Sequence, residues 1–348
     1  MNIPARTTNR LLAVLLAIIV LWALKWAAAV TMPLAFTLLL LALSWPIRQL
    51  LRRILPSSLS FVGTVLALCI VLALFIGGIW FSIQSVAGTA PRYSDEFFRT
   101  YDALSSWLRS NGLQPPSGED ALARAGGVVQ RIMSWLWALL GYCGLIAGLL
   151  ILALPEVPRF RRKIRDCVGG NGEEVVDTLT EAAIKIQQVL ATITFTSALT
   201  GILTGLYAWA LGLDFAFAWG VLGFLLNYIP VIGSVIAVIP PALFAILQFD
   251  GYGMPLLVFF GLSAIQLGMG TFVYPWVQGR TISVSPAALL FSLTFWGFLW
   301  GITGAFLAVP MTIALIIFCQ HFPSTRWLSV LLTDNGTAKS GNGRQRAA

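Results

Sequence analysis

Apolar runs of membrane-spanning length alternate with short polar segments along this chain. Residues 1–10 are polar and carry Arg6 and Arg10, 11–24 are continuously apolar, Lys25-Trp26 interrupts, and 27–45 is apolar again. A spanning helix takes about 20 apolar residues, so this region predicts two short membrane elements turning near Lys25-Trp26. A basic start, an apolar centre and the small residues Ala27-Ala28-Ala29 also fit a signal peptide, but the apolar run resumes at once. Residues 46–57 hold Arg48, Arg52 and Arg53 with no acid, and 59–83 forms a full span. Residues 84–131 balance Asp95, Glu96, Asp102, Glu119 and Asp120 against Arg92, Arg99, Arg109, Arg124 and Arg131. Tyr93, Phe97, Phe98, Tyr101, Leu104, Trp107 and Leu108 recur there with a helical period. Asn111-Gly112 and Pro115-Pro116 end that helix. A small helical subdomain is expected, with a ligand-gathering lid as the alternative.

Residues 132–154 give the next span. Arg159, Arg161, Arg162, Lys163 and Arg165 follow in a basic loop, then an amphipathic helix over 173–190. It sets Val175, Val176, Leu179, Ala183, Ile186 and Leu190 against Glu174, Asp177, Glu181 and Lys185. That helix is expected to lie along the membrane surface, with the chain re-entering near Ala191. Basic residues concentrate in cytoplasmic loops, so 46–57, 155–190 and the tail are expected inside and 84–131 outside.

Residues 191–325 hold three permanently charged side chains, Asp214, Asp250 and Arg280. The apolar sequence there is broken at 227–233, Pro240-Pro241, Tyr274-Pro275, Ser285-Pro286 and 301–304. Broken helices persist in lipid where freed backbone lines a cavity or is buried in protein, the mark of a transport path. In 215–247 each arm beside the break reaches roughly 20 Å, short of a hydrocarbon core about 30 Å thick. A re-entrant hairpin is the favoured reading, and two stretched spans the other. The run 286–320, broken at 301–304, repeats the pattern. With 191–211 and 254–273 as spans, Tyr274 to Ser285 is a loop and the two hairpins dip from opposite faces, as in inverted-repeat transporters. Trp219-Gly220 before 233–240 is echoed by Trp296-Gly297 before 304–310.

The fold class expected is an all-α integral membrane protein of seven to eight membrane elements, two of them broken or re-entrant hairpins in the C-terminal half. Its parts are N-terminal membrane elements (1–83), an external helical insert (84–131), a transmembrane helix (132–154), and a cytoplasmic basic loop with amphipathic helix (155–190). A transport half with broken hairpins (191–320) and a cytoplasmic tail (321–348) complete it.

Composition agrees: 58% of residues are hydrophobic and 10% charged, where soluble domains carry roughly 25% charged. The net charge of +8 sits in loops and tails as topology signals, so nucleic acid is rejected as a partner. Cys69, Cys143, Cys167 and Cys319 form no close pair and His321 is the lone histidine, so no metal site is expected. No nucleophile–base set, intramembrane carboxylate pair or P-loop occurs. The chain reads as a non-enzyme without cofactors, partnered by a small-molecule substrate and the lipid bilayer.

Asn227 stands at the first break, either as a solute ligand or as a cap of the broken helix. Gln266 lies mid-span, either at the site or bridging helices. Thr192, Thr194, Thr196 and Thr200 fit local backbone bonding, and Asp214 and Asp250 fit ordinary turns. The candidate substrate-binding set is Asn227, Tyr228, Ile229, Pro230, Gly233, Gln266, Gly301, Gly304 and Pro310, with both breaks converging on one site for a small, neutral or weakly charged solute.

Leu226-Asn227-Tyr228-Ile229-Pro230-x-Ile232-Gly233, Pro240-Pro241-Ala242, Tyr274-Pro275 with Gly279, Ser285-Pro286 and Trp296-Gly297-x-x-x-Gly301-x-x-Gly304-x-x-x-Ala308-Val309-Pro310 together resemble the autoinducer-2 exporter family. The likeness covers nearly the whole length. It departs at Ser234, where the family motif often has proline. The resemblance implies a multi-pass protein of the bacterial inner membrane, a permease-like homo-oligomer. Family members are linked to export of a small furanone signal and some to sodium/proton exchange. Secondary transport is the leading expectation. An antiporter or a non-transporting membrane assembly or regulatory protein is the alternative.

Overall fold

The computed structural model describes residues 5–54, 56–167, 172–229, 232–278, 284–321 and 325–333. Among the described residues twelve α-helices carry the architecture, with no β-strand: α1 Ala5–Trp26, α2 Ala28–Leu51, α3 Ser57–Thr89, α4 Ser94–Ser110, α5 Gly118–Cys167, α6 Gly172–Ala210, α7 Ala216–Leu226, α8 Ile232–Gln248, α9 Gly253–Gly268, α10 Tyr274–Gln278, α11 Pro286–His321 and α12 Arg326–Leu332.

Four described helices are long and apolar enough to cross a membrane: Gly141–Cys167, Gly172–Ala210, Gly253–Val277 and Pro286–Gln320. A fifth candidate is the pair Ile18–Trp26 and Ala28–Leu41, bent by 91°. The bend falls where the sequence predicts a turn, at Lys25-Trp26. These four to five candidates fall short of the expected seven to eight elements; apolar helices such as Ala216–Leu226 and Ile232–Gln248 are below spanning length.

The chain divides into two compact units. One comprises Met1–Thr64, Leu145–Val189 and Arg280–Ala348. Its core holds Leu154, Val189, Leu307, Ile313, Ile316 and Ile317, each at most 2% exposed. The basic segment expected as a loop is helical here: α5 runs 50 residues through Pro155 and Pro158. Proline removes the N–H that would bond the carbonyl four residues earlier, so Pro158 orphans the Leu154 carbonyl. Arg48 at the end of α2 answers it, its Nη1 donating to Leu154 O at 3.3 Å. Ser60 Oγ in turn donates to Arg48 O at 3.1 Å. Arg48→Met should therefore destabilise the protein by roughly 1–3 kcal/mol. In a Pro158→Ala background, which restores the missing donor, the same change should cost clearly less. A thermal-unfolding cycle in detergent reads this, and additive costs would refute it.

α6 shows a second departure. It runs 39 residues without a break, so the amphipathic segment continues directly into the apolar segment after it. No glycine or proline lies between Gly172 and Gly201, so nothing in the backbone stops the helix where polarity falls. The charged ends of α5 and α6 pair as an antiparallel hairpin. A Cβ at Gly172 would lie 2.6 Å from the Arg165 carbonyl, and Arg161 Nη2 donates to Thr180 Oγ1 at 2.7 Å.

The other unit comprises Val65–Gly144 and Leu190–Gly279. Ala208, Leu213, Val238, Ala242, Ala245, Val258 and Leu262 form its buried cluster. Glycine lets α6 and α7 touch along their backbones. A Cβ on Gly201 would meet Gly220 O at 2.7 Å, and one on Gly220 would meet Gly201 O at 2.8 Å. Small residues at such contacts are how helices associate without a hydrophobic drive between them. The insert is helical, as its periodicity predicts, with α4 ending at Ser110 before Gly112 at φ +81°.

Candidate functional site

Both broken segments of the C-terminal half fold back on themselves. α7 ends at Leu226 and α8 begins at Ile232. Phe244 on α8 packs against Phe215 at 5.0 Å and against Trp219 at 5.8 Å. Gln248 closes the base, donating from Nε2 to Gly212 O at 2.7 Å and accepting from Asp214 N at 2.8 Å. Partners equally spaced about residue 230 require antiparallel arms. At the tip the helix ends in tight turns, with Tyr228 N on Leu225 O and Ile229 N on Leu226 O. Gly233 sits so close to the first arm that a Cβ there would lie 1.7 Å from Leu226 O.

The tip is docked on α6 by side chains. Asn227 Nδ2 donates to Ser197 Oγ at 3.0 Å, and Tyr228 OH donates to Thr194 Oγ1 at 3.0 Å. Ser197 is fully buried, and its part was not legible from the sequence. Of the threonines, Thr194, Thr196 and Thr200 each donate to a carbonyl four residues earlier, the local bonding expected of them. Thr194 additionally receives Tyr228.

Asp214 stays at the hairpin's base as a turn residue. Its carboxylate accepts from Tyr93 OH, and its carbonyl accepts from Trp219 Nε1 at 2.8 Å. Tyr93 opens the insert and stacks edge-on to Phe244 at 4.9 Å, so the insert is fastened to this hairpin. Partial burial, then the hydrogen bond and charge of Asp214, push the Tyr93 phenol up to about 12. The contact thus survives in its neutral form through the ordinary phenol range near 10 and is lost only as the pH climbs toward 12.

Gln266 lies half-buried on α9, three residues before a π-helical turn over Met269–Val273. The helix continues through that turn into α10, so Tyr274-Pro275 is helical where a loop was expected. π-turns inside helices recur at functional sites. Gly268 and Gly270 flank its start, a faint signal that the sequence reading passed over.

The second hairpin belongs to the other unit. Inside α11, Trp300 (φ −129°, ψ 17°) and Gly301 (φ 64°, ψ −144°) leave the helical region. Gly301 adopts a combination open in practice only to glycine. Ser292 Oγ donates to Ala308 O at 3.1 Å and pairs with Thr312 Oγ1. Trp296 Nε1 reaches the same Thr312 hydroxyl at 3.3 Å. These partners straddle residue 302, so the arms 286–299 and 302–321 run antiparallel. Gly304 repeats the role of Gly233: a Cβ there would lie 1.9 Å from Trp296 O. Pro310 is buried in the returning arm.

Asn227, Tyr228, Ile229, Gly233 and Gln266 therefore belong to one unit, and Gly301, Gly304 and Pro310 to the other. Pro230 and Arg280 lie outside the described residues, as does the side chain of His321.

The family model described as AI-2E family transporter matches residues 11–324. The chain is 29% identical to the AI-2 transport protein TqsA of Escherichia coli strain K12, over 95% of this chain and 98% of that protein. It is 27% identical to a putative transport protein of Haemophilus influenzae, over 93% and 96%. A putative transport protein of Borreliella burgdorferi is 36% identical over 39% of this chain and 38% of its own length. With its apolar helices, its two folded-back segments and a match over almost all of its length, the chain belongs to the AI-2E family of membrane transporters.

Proposed function

We propose that this protein is a secondary transporter or exporter that carries small neutral or weakly charged solutes across the bacterial inner membrane. The polar tip of the α7–α8 hairpin is its solute site. The observation that carries this reading is the set of Asn227, Tyr228, Ser197 and Thr194 gathered at a helix break in the charge-poor stretch 191–325. A break frees backbone donors and acceptors at membrane depth, and discontinuous helices supply substrate contacts in this way in other transporters. Amide, hydroxyl and backbone groups suit a neutral solute, because a buried full charge would need a partner of opposite sign.

With each hairpin taken as one element, a count of seven to eight membrane elements belongs to this proposal. The topology proposed has the hairpins dipping from opposite faces, with the basic end of α5 and the start of α6 cytoplasmic and the insert outside. Homo-oligomeric assembly belongs to the same proposal. The printed name of the Escherichia coli relative makes AI-2 the first solute to test. Purified protein in proteoliposomes should accelerate efflux of a neutral furanone or polyol over protein-free vesicles, without ATP. Flux of sodium or protons alone would favour an antiporter. No flux of any of these in well-inserted, monodisperse protein would favour an assembly role and sink the proposal.

A further inference from the structure

The tip of the second hairpin meets another break of the same unit. α1 and α2 bend by 91° across 26–28. The bend loosens the carbonyls of the last turn of α1, and Leu24 O takes two side-chain donors. Thr31 Oγ1 reaches it at 3.3 Å, and Trp300 Nε1, from the hairpin tip, at 3.4 Å. One residue on, Lys25 Nζ stands 3.5 Å from the centre of the Phe298 ring. On the far side of the bend, Phe36 stacks on Phe306 at 6.3 Å. Trp300 is 8% exposed, so this residue of the tip is seated where its Nε1 meets the bend. The preceding face of α1, including Leu15, Leu16 and Ile19, stays open.

We propose that Lys25 and Trp300 are positioning residues of the transport step: they latch the tip of the 286–321 hairpin to the α1–α2 bend and release it when the tip moves. This rests on the transporter reading above. Three features carry it. The two contacts are of a reversible kind, a long hydrogen bond and a cation over an aromatic face, each weak enough to break within a turnover. The pivot is present, since Trp300 and Gly301 alone leave the helical region and can absorb a rotation of the first arm. The partner surface is itself a bend rather than a straight helix, and its loosened carbonyl is the acceptor.

The experiment uses full-length protein in a cysteine-free background with Thr303→Cys at the tip. Its reaction rate with a charged, membrane-impermeant thiol reagent is measured from each side of proteoliposomes. Lys25→Met and Trp300→Phe should each raise that rate about five- to tenfold, and Lys25→Arg, which keeps a cation over the ring, should restore it. Unchanged rates in Lys25→Met and Trp300→Phe would overturn the latch. A rise that Lys25→Arg fails to reverse would remove the cation–ring contact from it. In a second arm, Lys25→Cys with Phe298→Cys is joined by a short bifunctional thiol reagent. Flux should fall at least tenfold and return on reduction, and undiminished flux in the joined protein would overturn the proposal. The labelling arm needs no solute. A latch that responds in protein without flux would therefore fail the transport reading alone.

Discussion

Alanine at Gly233 or at Gly304 should leave little folded protein in the membrane. Each glycine opens the returning arm of its hairpin and lies directly under the last carbonyls of the outgoing arm. The added methyl would stand 1.7 Å from Leu226 O in one case and 1.9 Å from Trp296 O in the other. Both obstacles are backbone, so no rotamer change relieves them. The hairpin must open or its first arm unwind. Overpacking of well-packed sites costs 1–3 kcal/mol when side chains can yield, so a clash with fixed backbone should cost on the order of 3 kcal/mol or more. The ledger has a built-in control. An added Cβ at Gly148, inside α5, meets nothing within 4 Å, so Gly148→Ala should be neutral or slightly stabilising. Size-exclusion yield and unfolding temperature of the three variants decide the matter. A Gly304→Ala protein with native yield and melting would mean that the hairpin tip opens readily to admit a methyl group.

The two hairpins were readable because lipid leaves few reasons for glycine and proline to interrupt apolar sequence. The echo between 219–240 and 296–310 has the same cause in structure: Gly233 and Gly304 do one job in two places. The helical continuity of α5 and α6 was harder to read. The basic run Arg159 to Arg165 was read as a loop, but the helix continues through Pro155 and Pro158, since a helix tolerates proline when another group takes the orphaned carbonyl. That group, Arg48, lies 106 residues away from Leu154. In α6 the fall in polarity near residue 190 suggested two elements, although no helix-stopping residue stands there. The seating of Asn227 on Ser197 and of Trp300 on Leu24 was illegible for a related reason. Serine and tryptophan fit many apolar positions, and only folded packing singles out the ones that meet a broken end. The convergence of both breaks on one solute remains part of the sequence expectation, and the tips themselves belong to different units.

Asn227→Ala should lower solute flux about tenfold or more while leaving insertion and oligomer size unchanged. The residue has two jobs open to it. As a cap it ends α7, its N–H bonding Gly223 O at 3.2 Å; that bond is backbone and survives the substitution. As a side chain it donates to Ser197 Oγ, and the loss of one such bond costs roughly 1 kcal/mol of stability. A purely structural Asn227 would therefore act through Ser197 alone. Ser197→Ala should then reproduce the defect, and the double variant should be no worse than either single one. If the Asn227 amide also faces solute, Asn227→Ala should lower flux further in the Ser197→Ala background and raise the apparent KM, because a ligand contact is lost in addition to the tether. Asn227→Gln, which keeps the amide but displaces it by one methylene, should recover part of the flux at an altered KM. A double variant equal to Ser197→Ala in both flux and KM would take Asn227 out of the site. The amide would then be only what fastens the hairpin tip to α6.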